Sequence, residues 1–187
     1  MAPKLEHVFT LRAYISKDTT SQVGTVMGGP QRIVAPVLRG WMEGKGLERC
    51  DIVQPFGDWL QVDPSTGTVH VDVRGQIRTK EGHAIYTYYL GTMVMDSACG
   101  KAMSFADDAK TTEFGDHDFF TAPRFETSDP NLKWIESVSG GLVGDVPCVE
   151  TDARLQASFV GEGRFVVDDD RSTAVEYAIY HLRSGKP

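Results

Sequence analysis

The chain has 187 residues, 41% of them hydrophobic and 24% charged, which are values of a globular domain long enough to bury one core. A net charge of −7 and an isoelectric point near 5.2 disfavour nucleic acid and anionic membrane as partners, because both recruit basic patches. No apolar stretch is long enough to span a bilayer, and the N-terminus lacks a signal peptide's apolar core, so a cytoplasmic protein is expected.

In chain order, residues 8–15 alternate weakly and predict the first strand. Residues 16–29 are small and polar and end in Gly28-Gly29-Pro30, a loop with no Walker lysine to make it a phosphate cradle. A second strand is predicted over 31–38, with Pro36 marking an edge or a bulge. The glycine-rich run 39–46 and an extended run 48–54 lead into the most regular part of the chain, residues 57–90. There three extended runs are joined by two turns, one at Asp63-Pro64-Ser65-Thr66-Gly67 and one at Lys80-Glu81-Gly82. Between the turns, residues 69–74 alternate strictly apolar and polar, the period of a strand with one face of each kind. A β-meander is therefore predicted.

Beyond Tyr89 the pattern weakens, with a short helix expected around 101–110. Gly115-Asp116-His117-Asp118 is the one tight cluster of His and carboxylates, but neighbours on a loop seldom converge on one ion, so no metal site is expected. Cys50, Cys99 and Cys148 are odd in number and widely spaced, which argues for reduced thiols rather than disulfides or zinc. Strands are predicted over 119–125, 134–139, 165–167 and 174–182, the last two separated by the turn Asp168-Asp169-Asp170-Arg171. No repeat, low-complexity tract or linker divides the chain, so one domain spanning 1–187 is expected. Short strands punctuated by glycine and proline turns make the fold all-β, either sandwich or barrel.

Several of these residues form a recognisable pattern. Asp58-Trp59, then Asp72 and Arg74, then Thr79, Gly82, Ile85 and Tyr86, followed by Pro123-Arg124-Phe125-Glu126-Thr127 and Trp134, resemble the family called domain of unknown function 3237. The resemblance implies a single closed antiparallel β-barrel of lipocalin-like shape with minor helix, able to hold one small ligand. The family's glycine turn matches Phe159 to Arg164 best, which makes residues 137–156 an insertion, either functional or mobile. Phe120 stands where the family carries arginine, and a more apolar cavity is expected from it.

If the polar stripe His70, Asp72, Arg74, Gln76 and Arg78 faced the barrel interior, Asp72 and Arg74 would have to pair, and the pair would be a ready acid/base element. Periodicity alone favours a solvent face for this stripe. On the interior reading the catalytic candidates are Asp72, Arg74 and Tyr86. The candidates for substrate binding are Trp59, Tyr88, Arg124, Glu126 and Trp134, although aromatic residues of this kind also serve simply as core. No nucleotide fingerprint or nucleophile elbow is present, so no cofactor is expected. Two functions remain open. One is cofactor-independent acid/base chemistry (isomerase, cyclase or dehydratase) on a small aromatic or polyketide-like molecule, with a homo-oligomer left open. The other is a carrier that encloses a hydrophobic ligand without turning it over.

Overall fold

The computed structural model describes residues 2–136 and 158–185, so the expected insertion over 137–156 lies outside the described residues. Among the described residues eleven strands form one sheet. They are β1 Lys4–Ile15, β2 Ser21–Thr25, β3 Gln31–Pro36, β4 Arg39–Gly44, β5 Leu47–Asp58, β6 Gln61–Asp63, β7 Thr68–Arg78, β8 Ala84–Val94, β9 Phe119–Thr127, β10 Phe159–Val167 and β11 Thr173–Arg183. Every strand pairing is antiparallel, and β1 is hydrogen-bonded to both β11 and β4. Pairing of β5 with β7 joins the two arms of the sheet and closes it into a barrel, as the resemblance implied. The meander expected over 57–90 is β6, β7 and β8, with Asp63 and Gly67 closing the first turn through a 2.9 Å backbone hydrogen bond. Among the described residues no helix is long and apolar enough to cross a membrane.

Strand alternation decides what enters the barrel. On β7 the buried residues are Val69, Val71, Val73, Gly75 and Ile77; on β8 they are Ile85, Thr87, Tyr89 and Met93. On β9 they are Phe119, Thr121, Pro123, Phe125 and Thr127. One end of the interior is filled by aromatic side chains: Phe9 stacks on Trp134 at 5.6 Å between centroids, and Phe125 meets Phe159 edge-on at 5.3 Å. A short 3-10 helix, Pro130–Ile135, plugs that end with buried Leu132 and Ile135. Trp134 and Ile135 therefore lie in this helix and not in the strand expected over 134–139, whose last three residues lie outside the described residues. Asp129 caps the turn by accepting from the Asn131 amide at 2.8 Å, and Pro130 supplies the fixed φ of a first helical position.

Two other expectations change. Residues 16–29 are not all loop, because β2 forms within them and pairs with β3. The family's glycine turn at Phe159 to Arg164 is instead the body of β10. A Cβ on Gly163 would strike the Phe119 ring, and one on Gly161 would strike Thr121, so these glycines let β10 lie close to the bulky inner row of β9. The expected helix is α1, Ser97–Met103, earlier than predicted because Asp96 caps it by accepting from the Cys99 amide at 2.8 Å.

Candidate functional site

Seven of the residues singled out from the sequence do come together, but outside the barrel. Cross-strand pairing aligns Arg74 with Tyr88 and Tyr88 with Arg124, and the next row aligns Gln76, Tyr86 and Glu126. Asp72 belongs to the same outer face. Its Oδ1 lies 3.5 Å from Arg74 Nε, and the guanidinium sits 5.1 Å from the Tyr88 ring centre. The Arg74 side chain is 57% exposed. The interior placement on which the acid/base reading of Asp72, Arg74 and Tyr86 depended is thus corrected. With Val71 and Val73 buried, a period of two leaves Asp72 and Arg74 only the outer surface. An exposed pair of this kind contributes little, so Asp72→Asn is expected to lower unfolding free energy by less than about 1 kcal/mol. Urea denaturation checks this, and a loss of several kcal/mol would show that the pair is sealed from water.

Trp59 is 41% exposed, and its carbonyl accepts from Arg32. Trp134 belongs to the aromatic plug, so the core reading of it holds. Phe120 also points outward, 47% exposed, and does not make the cavity more apolar. Asp116, His117 and Asp118 diverge: Asp116 accepts from the Glu113 amide at 2.8 Å, while His117 turns inward to Asp96 and Cys99.

The interior carries a different set of polar groups, on β5, β8 and β11. Opposite the aromatic plug lies a cavity of about 70 Å³, lined by Asp58, Val71, Met93, Phe119, Phe165 and Tyr177 among others. Asp58 ends β5 beside the register shift between Val53 and Gly57. Its neighbour Trp59 turns outward while its own carboxylate turns in. There Oδ1 accepts the Asp72 amide at 2.9 Å, and the Trp59 amide donates to the Asp72 carbonyl at 3.0 Å. Burial pushes the Asp58 carboxyl up to about 7, opposed by the Asp72 amide; the nearby Asp72 charge adds to the rise and Arg32 reduces it. Tyr89 and Tyr177, both fully inside, meet edge-on at 5.3 Å between ring centres. Burial, together with the nearby Asp58 carboxylate, raises both phenols well above the ordinary value, which keeps them neutral donors. A proton acceptor poised near neutrality thus shares a mostly apolar cavity with the neutral phenol of Tyr177, which Tyr89 backs from outside the lining.

Ile15 and Phe105 line this cavity at its other end. Both also line a wider bowl of about 420 Å³ outside the cavity, whose wall carries Lys17, Arg39 and Asp170. Phe105 sits in the left-handed region with φ 56°. The segment after it is held by Arg171, which donates to the carbonyls of Ala106, Asp107 and Ala109 at 2.7–3.2 Å. None of Asp58, Tyr89 and Tyr177 stands among the site candidates read from the sequence. Asp58 stood in the quoted Asp-Trp pair, and Tyr89 in the run Tyr86 to Tyr89, where alternation alone separates it from Tyr86 and Tyr88. Tyr177 had no local cue beyond its place on the last strand.

The profile of the family described as protein of unknown function (DUF3237) matches residues 3–144. Two UPF0311 proteins of Rhodopseudomonas palustris are 31% and 30% identical over 143 and 139 residues, each alignment covering 72% of this chain and 84% of the relative. A conserved protein of unknown function from Rhodopseudomonas palustris has a similar solved structure, with TM-score 0.72 at 20% identity over 97% of this chain and 99% of that one. A β-barrel-like protein from Acinetobacter baumannii gives 0.67 at 22% identity over 98% of each chain. An enzyme from Penicillium herquei gives 0.53 at 13% identity over 98% of this chain and 96% of its own. At these identities the structural likeness shows the fold alone.

Proposed function

The chain belongs to the DUF3237 family of proteins of unknown function, and from that premise we propose that it is a cofactor-independent acid/base enzyme of the isomerase, cyclase or dehydratase type. Its substrate is a small aromatic or polyketide-like molecule held in the barrel interior. The observation that carries this reading is the Asp58 carboxyl, turned into an apolar cavity and raised to about 7, beside the neutral hydroxyl of Tyr177. A general base works best when its pKa lies near the working pH, because it is then both ionised and able to return the proton. In the step this allows, Asp58 takes a proton from an acidic C–H or O–H of the substrate. The electron pair moves onto a substrate oxygen, which a tyrosine hydroxyl stabilises by donation. The carboxylic acid so formed then returns the proton at another atom, or to a departing hydroxide that leaves as water. The existence of an enzyme on a barrel of this shape in Penicillium herquei supports catalysis over passive storage, at the level of fold.

The test uses deuterium. The protein is incubated in D2O with a panel of small phenolic ketones, and label appearing at exchangeable carbons is followed by mass spectrometry. Methyl NMR of Met93 and Val71 reports occupancy of the cavity in parallel. Enzyme-dependent label in a compound that shifts those methyls is the expected result. Shifts with no label and no product for any compound would favour the carrier.

A further inference from the structure

A second set of reactive side chains lies away from the cavity chemistry, where the start of α1 meets the turn before β9. Asp96, Cys99 and His117 each offer one donor atom, and these atoms lie within 4.8 Å of one another. His117 Nδ1 is 2.6 Å from Asp96 Oδ2 and 3.4 Å from Cys99 Sγ. The His117 and Cys99 side chains are buried, while the Asp96 side chain is 42% exposed. One plain explanation is an N-cap carboxylate with a histidine bonded to it, which accounts for Asp96 and for Nδ1. It sets the thiol and the ring in competition for one carboxylate, because one ring nitrogen cannot at once donate its proton to the carboxylate and accept one from sulfur. A nucleophilic relay is also excluded by the geometry. Such a relay sets thiol and carboxylate on opposite ring nitrogens, and here both face Nδ1 while Nε2 is buried and without a hydrogen-bond partner.

Convergence of one oxygen, one sulfur and one nitrogen on a single point is the arrangement of a ligand set. We propose that Asp96, Cys99 and His117 bind one thiophilic divalent cation of the zinc type, with water completing a tetrahedron. A cation replaces the proton that the three groups contest, and the thiol binds it as thiolate with loss of its proton to solvent. Tetrahedral zinc separates its nitrogen and oxygen ligands by roughly 3.3 Å, so the carboxylate must withdraw by well under 1 Å. Asp96 can do so because it is the exposed member, and its exposed side also provides the path for ion and water. The two arms are otherwise fixed. The Cys99 amide is bonded to Asp96 Oδ1, and the His117 carbonyl accepts from Phe119 at 2.9 Å as β9 begins. The site joins α1 to the barrel wall, and the His117 ring stands edge-on to Phe165, a cavity residue, at 6.2 Å.

The test is a titration of tag-free, chelator-stripped full-length protein with Co²⁺ and then Zn²⁺. Co²⁺ is expected to give a thiolate-to-metal absorption band that saturates at one equivalent and is lost when Zn²⁺ displaces it. Cys99→Ser should abolish the band and weaken Zn²⁺ binding at least tenfold. Asp96→Asn keeps a competent helix cap, so it should fold and still weaken binding at least tenfold. Absence of a saturable band in the folded wild-type protein would overturn the proposal. So would a band that survives Cys99→Ser, or Zn²⁺ affinity unchanged in Asp96→Asn.

Discussion

Asp58→Asn is expected to reduce turnover by about 100-fold or more while altering ligand affinity much less, since it removes the base and nearly preserves its shape. The amide oxygen can still accept the Asp72 amide at the position of Oδ1, so the end of β5 stays tied to β7. The substitution also has a stability signature of definite sign. Burial holds the folded-state carboxyl at about 7, above its ordinary 3.8, so the folded protein binds this proton more tightly than the unfolded chain does. The resulting stabilisation is complete below pH 4 and is lost as pH rises toward 7 and above, with a ceiling of about 4 kcal/mol. Because the Asp58 residue is only half-buried, solvent screening reduces the real figure below that ceiling. Asp58→Asn removes the dependence, so it should melt higher than wild type at pH 8 and lose that advantage by pH 4. An inactive variant that is stabilised at high pH is the mark of a functional group held at a structural cost. Wild-type turnover in Asp58→Asn, with no pH-dependent gain in melting temperature, would remove Asp58 from the mechanism.

The parts of this fold legible in the sequence are those set by local chemistry. Strict alternation over 69–74 defined β7, and the proline and glycine turns defined its ends. Barrel closure was not legible from pattern, since it depends on β5 meeting β7, and only the family resemblance supplied it. The candidate site was misread for a related reason. Alternation says that Asp72 and Arg74 share a face, but which face lies inside is fixed by Val69, Val71 and Val73 packing against distant strands. Once that parity is known, Tyr89 must enter and Tyr86 and Tyr88 must leave. Asp58 escaped because it lies at a register shift, where the period of two breaks and sequence spacing no longer predicts direction. His117 was seen, but its partners Asp96 and Cys99 stand about twenty residues earlier on another element.

Glu176→Ala is expected to destabilise the protein by about 3 kcal/mol. Glu176 is 3% exposed on β11, and both its oxygens are taken. Oε2 accepts Arg12 Nε at 2.6 Å, and Oε1 accepts Arg164 through Nε at 3.0 Å and a terminal nitrogen at 2.7 Å. Register sets Arg12 and Arg164 on either side of Glu176, so one carboxylate ties together β1, β11 and β10. Removing it leaves two guanidinium groups, only 22% and 20% exposed, without their main partner. Breaking a buried pair from one side costs about 3–5 kcal/mol, and the low end applies because each arginine keeps a second carboxylate. Arg12 retains Asp168 at 3.9 Å, and Arg164 retains Glu113 at 3.1 Å. Glu6 is the control: it too joins two cations, Lys45 and Arg183, but at the surface, so Glu6→Ala should move the unfolding midpoint far less than Glu176→Ala. Urea denaturation measures both, with the loss read as a shift in midpoint at constant slope. Tyr177 follows Glu176 in the chain and points the opposite way, into the cavity, so loosening this wall should also lower turnover through the phenol's position. Equal, small shifts in midpoint for the two variants would mean that water replaces Glu176 as readily as it replaces Glu6.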